Sequence, residues 1–234
     1  MAIYRSSKLS EDALVLMRRI VEANAWRQVL GVNILGHCIK QVGDFEGKRG
    51  VVTEMGVCLE FYGELTAAYH ELGGGDLDMA VRDRLLNVPM PESRFELAVC
   101  RLLTDRAQRI ALASFLSSKS KPFAALAKRH LKRPALVGDA ERERMAEFCR
   151  EPMNRPRAQQ ILEIWLGISL MALGRPGSAG DERAIDLGLR DRSSEEQMVE
   201  FLAEVRALVA QWGLEMPRAE RLAADVPERL LVGA

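Results

Sequence analysis

Apolar residues recur at intervals of three and four along nearly the whole chain, the spacing that places side chains on one face of an α-helix. Five of them share one face of a first helix that we expect to run to about Val42: Leu14, Met17, Val21, Leu35 and Ile39. Ser10 precedes this helix and can cap it. No segment keeps the alternation of apolar and polar residues that marks a half-buried strand. The pattern predicts an all-α protein.

Clusters of glycine, proline and polar residues divide the helical pattern into segments. They are "GDFEGK" (43–48), "GGG" (73–75), "VPMPE" (88–92) and "GRPGSAGDE" (174–182). Long helices are predicted between them at about 48–72, 92–118 and 155–173, with short ones in 76–86, after Pro122, and after Asp139 as a cap. Ser193 and Glu196 have the spacing of a capping box before one further helix.

The length of 234 residues suits one helical domain with a sizeable core. We expect a single domain over 1–234, with a core at about 11–213 and a short C-terminal tail at 214–234. Long amphipathic segments joined by short breaks favour a bundle of long antiparallel core helices, with extra short helices beside them.

Composition excludes several classes of protein. The chain has 33 basic and 33 acidic residues, and this balance argues against a dedicated nucleic-acid binder. Its longest apolar run, 164–173, falls well short of the roughly 20 residues that span a bilayer, so we expect no membrane association. The first residues also lack the basic-then-apolar form of a secretory signal.

The cysteines indicate a reducing compartment. Four occur singly, with no Cys-x-x-Cys spacing: Cys38, Cys58, Cys100 and Cys149. This pattern is typical of small buried apolar residues rather than of disulfides or zinc ligands. A cytoplasmic protein is the expectation.

Common catalytic motifs are absent from the sequence. "GGGD" has no preceding strand and no following Lys-Ser or Lys-Thr, so it does not predict a phosphate-binding loop. The histidines, His37, His70 and His130, are scattered, and no Glu-x-x-His occurs. We interpret each histidine as a surface or structural residue.

Two acids, Glu54 and Asp105, lie among apolar residues of predicted long helices. Helical bundles use inward-facing acids, with histidines one turn later, to hold two metal ions, and a buried carboxylate is costly without a cation. The alternative is that both are ordinary half-exposed helix acids paired with nearby arginines: Arg101, Arg106 or Arg109.

A basic segment offers a different kind of site. Residues 101–133 hold nine Lys or Arg against the single acid Asp105. Four of them, Lys128, Arg129, Lys132 and Arg133, could hold the phosphates of coenzyme A or contact a partner. The alternative is a solvated face that the acidic stretch 181–204 balances.

Three stretches resemble the phenylacetic acid catabolic proteins, the ferritin-like subunits of the phenylacetyl-CoA epoxygenase, and most closely its oxygenase subunit. "EMGVCLEFYGEL" (54–65) is similar to the second core helix of that family, and "LLTDRA" (102–107) to the third ligand-bearing helix. The segments 165–177 and 192–217 resemble the final helix pair. Together they cover most of residues 12–217, and the resemblance implies a ferritin-like bundle.

The resemblance implies degenerate metal ligands. Gln28 stands where the first core helix of the family carries Glu, and Glu54 with Val57 replaces the first Glu-x-x-His. Asp105 keeps the acid of the third helix, while Arg133 and Val137 fall near the second Glu-x-x-His. We therefore expect remnant positions without metals or another cofactor, an arginine supplying the missing positive charge, and Val57 filling the space of an imidazole.

Three functions follow from these observations. The first is a non-catalytic structural or partner subunit of a multicomponent aromatic acyl-CoA monooxygenase, assembled with itself or with a ferritin-like partner. The second is an active di-iron oxygenase that acts on an acyl-CoA or a related aromatic substrate through other ligands. The third is a module that binds a CoA thioester or another anion through the basic segment.

Overall fold

A computed structural model describes residues 9–82, 88–222 and 224–232. These residues form ten α-helices, α1 (Glu11–Cys38), α2 (Phe45–Glu71), α3 (Leu77–Arg82), α4 (Arg94–Ala113), α5 (Lys121–Leu131), α6 (Asp139–Arg150), α7 (Arg155–Ala172), α8 (Ala179–Asp186), α9 (Ser194–Trp212) and α10 (Glu228–Val232). Short 3₁₀ turns occupy Ile39–Gln41 and Ala219–Arg221. Within the described ranges there is no strand, and the all-α bundle is confirmed.

Helix ends follow the local sequence in most places. The Ser10 side chain accepts a hydrogen bond from the Ala13 amide at the start of α1, and Ser193 with Glu196 forms the predicted capping box of α9. Asp139 does not cap α6, because Gly138 takes the cap position and Asp139 begins the helix. The predicted loop 174–182 was wrong in its second half, since α8 starts there with Ser178 as its cap. The predicted helix in 76–86 begins at Leu77, and its last four residues, 83–86, lie outside the described residues.

The first two long helices form an antiparallel hairpin. Near its open end, Arg18 donates to the Leu72 carbonyl (2.9 Å) and the Tyr69 hydroxyl to Glu22 (2.8 Å). The turn between α1 and α2 takes only a few residues and begins with the 3₁₀ segment. Gly31 lets the two helices approach closely, since a Cβ there would stand 3.3 Å from the Cys58 sulfur.

The second pair of long helices, α4 and α7, is parallel. Glu96, at the start of α4, contacts Arg157 and Trp165, whereas the later α4 residues share a cavity with the end of α7. The expected antiparallel arrangement therefore holds for α1 and α2 but not for α4 and α7. The physical reason is that two helices, α5 and α6, intervene and return the chain to the end at which α4 starts.

Two clusters of buried side chains hold the bundle together. One surrounds α4, α7 and α9 and contains Trp165 and Trp212. The other lies between the first half of α1, the second half of α2, and α3 and α5. The C-terminal tail packs on the first cluster through α10, where Leu231 is buried. In the part of the chain that is described, none of the helices combines the length and the hydropathy that a membrane span needs.

Candidate functional site

Helices α1, α2, α4 and α7 enclose a cavity of about 90 Å³, enough for several water molecules. Its polar lining comes chiefly from three helices: Gln28 on α1, Glu54 on α2, and Arg101 and Asp105 on α4. Helix α7 contributes the apolar side chains Ile168 and Ala172. The structure thus brings together Gln28, Glu54 and Asp105, three residues that the sequence had singled out.

Glu54 is buried, with 7% of its surface exposed, and it forms an ion pair with Arg101. The Arg101 Nε lies 2.8 Å and its Nη2 2.6 Å from the same oxygen, Glu54 Oε2. Burial raises the pKa of Glu54, and the charge of Arg101 opposes that shift. Arg101 also approaches Glu141 Oε1 at 3.5 Å and donates to the Leu136 carbonyl at 3.1 Å. The expected arginine is therefore present beside Glu54, and it is Arg101.

Asp105 lies one helical turn further along α4 and is also buried. Its Oδ2 accepts a hydrogen bond from the Leu136 amide at 3.3 Å, and burial raises the pKa of its carboxyl. In the described parts of the chain it has no ion-pair partner within 4 Å. Asp105 is therefore held by a backbone donor, with arginines nearby but none in direct contact.

Gln28 and Val57 stand where the family that the sequence resembles carries metal ligands, and only one of them lines the cavity. Gln28 is buried and faces the cavity, and its Nε2 makes a long hydrogen bond of 3.4 Å to the Asn24 carbonyl. Val57 is half-buried and does not line the cavity, so it does not fill the space of an imidazole there. Cys58 lines it instead, because the residue four positions after Glu54 faces the same side of the helix.

Arg133 and Val137 do not occupy the place of a second Glu-x-x-His. Residues 132–138 form an irregular segment between α5 and α6 rather than a helical turn. Arg133 reaches back to α2, with its Nη2 2.7 Å from Glu60 and its Nη1 3.4 Å from the Val57 carbonyl. The fourth wall of the cavity comes from α7, so the alignment of 133–137 with a ligand-bearing helix was wrong.

The cavity residues do not fit a pair of metal ions. A carboxylate-bridged centre needs about four acids and two imidazoles, and here two acids share the lining with two glutamines and two arginines. Arg101 already supplies a positive charge to Glu54, and a metal at that carboxylate would repel it. Among the described residues, no group of three or more His, Cys, Asp and Glu side chains is arranged to hold a metal ion.

The arginines of the basic segment are engaged by neighbouring acids or carbonyls. Arg129 pairs with Glu64 at 3.0 Å and Arg133 with Glu60 at 2.7 Å, both on α2. Earlier in the segment, Arg106 pairs with Glu204, and Arg109 donates to backbone carbonyls. The exposed residues Lys128 and Lys132 remain. This arrangement is closer to a solvated, ion-paired face than to a phosphate site.

The cysteines and the buried histidine play no part in this site as reactive groups. All four cysteines are free thiols, and three of them are buried. Burial raises the pKa of the Cys58 thiol to about 12, which keeps it protonated. His130 is buried and stacks against Phe61, with ring centroids 4.2 Å apart. Burial lowers its pKa to about 4, so His130 is neutral at pH 7 and structural.

Sequence reasoning missed three polar residues near the cavity. Trp26, Arg27 and Gln108 line it, and the Trp26 Nε1 and Gln108 Nε2 atoms are buried without a hydrogen-bond partner among the described residues. Their spacing on α1 and α4 carries no motif, and only the packing of these helices brings them to one cavity. The chain matches no model of a known protein family and no curated protein.

Proposed function

We propose that this chain is a non-catalytic, ferritin-like subunit of the phenylacetic acid catabolic type, which acts by assembling with another helical subunit. In related bundles the inter-helix site holds two iron ions. Here one observation carries the proposal: the Arg101 guanidinium pairs with Glu54 inside the inter-helix cavity. Its charge offsets the cost of burying the carboxylate, which a metal ion does in an active centre. The ferritin-like ancestry itself rests on the three stretches of sequence described above.

The donor set supports a structural role. Asp105 is bonded to a backbone amide, and Gln28 offers an amide where a carboxylate would be needed. Cys58 and the apolar residues of α7 complete the wall. The carboxyl of Glu54 and that of Asp105 are thus each held by a hydrogen-bond donor of the protein itself.

The outer face of α2 offers a surface for assembly. Phe45, Val52 and Leu59 are spaced seven residues apart, and 82%, 55% and 58% of their surfaces are exposed. Exposed apolar residues at this spacing are typical of a helix that packs on a second helix. Lys48 and Arg49 lie toward the start of α2, and Glu60 and Glu64 lie toward its end. Glu60 and Glu64 already pair with Arg133 and Arg129 of the same chain, so the three apolar residues carry the contact, which we assign to a second copy of this chain.

Metal analysis tests the proposed loss of the di-iron centre. The protein, purified from cells grown with added iron and manganese, should contain far less than one metal ion per chain. Val57→His should not restore binding alone, since Val57 does not line the cavity. Two iron ions per chain in the wild type would contradict the proposal and favour an active oxygenase that acts on an acyl-CoA or a related aromatic substrate.

Light scattering after size-exclusion chromatography tests the assembly surface. We expect a dimer in the wild type and a monomer for the variant Val52→Lys/Leu59→Lys, with unchanged thermal stability. Val199→Lys is the matched control, since Val199 on α9 is exposed to a similar extent, 51%. A wild-type monomer at all concentrations tested would contradict self-assembly through α2.

A further inference from the structure

An open groove of about 420 Å³ lies on the bundle beside the inner cavity. Its walls are mainly apolar: Ala23 on α1, Val88 before α4, and Ile168, Met171 and Ala172 on α7. This volume is within the range of pockets that hold small organic ligands. Trp26, Arg27, Ile168 and Ala172 line both the groove and the inner cavity, so the two spaces meet at these residues.

Arg27 lies where the two spaces meet and has no acidic partner in the described parts of the chain. Its Nη1 donates to Asn24 Oδ1 at 3.3 Å and its Nη2 to the Ala172 carbonyl. A guanidinium has five N–H donors, so donors remain for a ligand. Burial lowers the pKa of Arg27 to about 10, a sign that its charge is poorly solvated. It stays cationic at pH 7, and its side chain is only partly exposed, so the lack of a counter-charge is costly.

A second N–H donor belongs to Trp26, which lines the groove and the cavity beside Arg27. The Trp26 Nε1 atom is buried and has no hydrogen-bond partner among the described residues. A buried indole N–H normally finds an acceptor. Both residues line the groove, and Arg27 keeps N–H donors beyond those bonded to Asn24 and Ala172.

We propose that this groove binds a small apolar carboxylate, with its carboxylate paired to Arg27 and its hydrocarbon part against Ile168 and Met171. Arginine binds carboxylates through two parallel hydrogen bonds, which gives the ligand a fixed orientation. The site is separate from the Glu54–Arg101 pair and does not depend on the assembly of subunits.

Calorimetric titration of the purified full chain with octanoate tests the proposal. Octanoate should bind, while octanol, which lacks the charge, and acetate, which lacks the hydrocarbon, should bind far more weakly. Octanoate should also change the tryptophan fluorescence, and Trp26→Phe should remove that change, since Trp165 and Trp212 are fully buried elsewhere. Equal binding of octanol and octanoate, or no octanoate binding at millimolar concentration, overturns the proposal.

Variants locate the site. Arg27→Gln should weaken octanoate binding about tenfold or more, the usual effect of losing hydrogen bonds to a charged group. Met171→Asp gives a second test that spares the helix contacts, because Met171 is 42% exposed at the groove. It should weaken binding more than Met171→Asn does, because both variants lose the apolar contact and only the aspartate adds repulsion between carboxylates. Unchanged octanoate affinity in a folded Arg27→Gln or Met171→Asp protein would overturn the assignment.

Discussion

Two regions of the molecule bury carboxylates in different ways: one surrounds Glu96 at the start of α4, and the other is the cavity with Glu54 and Asp105. Glu96, near the start of α4, has both oxygens bonded: Oε1 accepts from Trp165 Nε1 at 3.3 Å, and Oε2 accepts from the Glu92 amide and from Arg157. Glu54 and Asp105 border a cavity instead and have fewer donors each.

The difference separates a structural acid from a candidate site. Glu96 links α4 to α7, because it accepts hydrogen bonds from the Glu92 amide before α4 and from Arg157 and Trp165 on α7. Around Glu54 and Asp105, burial raises the pKa of both carboxyls; Arg101 opposes the shift at Glu54, and the Leu136 amide opposes it at Asp105. Burial alone therefore does not mark a functional acid, whereas burial beside unfilled space and unpaired donors does.

The largest expected effect comes from removing the arginine at the cavity. Arg101→Met leaves Glu54 buried without a cation, and we expect the free energy of unfolding to fall by about 3 kcal/mol. Urea denaturation measures this change in the free energy of unfolding. Adding Glu54→Gln to this variant should recover most of the loss, because no charge is then left unpaired.

The matched control for this variant is Arg94→Met, also on α4. Arg94 is largely exposed and lies 3.8 Å from Asp44, so its loss should leave the unfolding curve nearly unchanged. An equal effect of the two substitutions would show that Glu54 does not depend on its arginine.

A smaller effect is expected at the structural acid. Glu96→Ala leaves the buried Trp165 Nε1 without an acceptor and should lower the free energy of unfolding by about 2 kcal/mol. Glu92→Ala is the control, since Glu92 is exposed and meets the same Arg157. If Glu96→Ala lowered the free energy of unfolding more than Arg101→Met does, the expected order of the two sites would be contradicted.

The smallest effect is a pH dependence at Asp105. Because burial raises its pKa in the folded state, the folded protein binds the proton more tightly than the unfolded chain, whose Asp pKa is about 4. The stabilisation from the protonated carboxyl is complete below the unfolded pKa and is lost as pH rises through the folded pKa. Relative to Asp105→Asn, the wild type should therefore lose stability as the pH rises above about 4. Urea unfolding at several pH values would show it, and a difference that grows in favour of the wild type would contradict it.

Much of the fold could be predicted from the sequence. The helix starts at Ser10 and Ser193 depend on side chains within one turn of the cap, so local pattern was sufficient. The apolar neighbours of Glu54 and Asp105 left open whether these acids are buried or half-exposed, and the structure shows that both are buried. The direction of α7 relative to α4 was not accessible, because it depends on how α5 and α6 fold back.

The candidate site was predictable only in part. Gln28, Glu54 and Asp105 were placed by resemblance, and the structure brings them together around one cavity. Val57 and Arg133 were misplaced, because a one-residue difference on a helix turns a side chain by about 100° and because 132–138 is not helical.

The sequence by itself determined the helical class and most helix boundaries, since the apolar period and the capping residues act over a few neighbouring positions. Only the tertiary structure decided which polar groups meet. Arg101 reaches Glu54 across 47 positions of sequence, and Arg27 reaches the Ala172 carbonyl across 145. Such pairings depend on the packing of whole helices, and no local pattern in α1, α2, α4 or α7 specifies them.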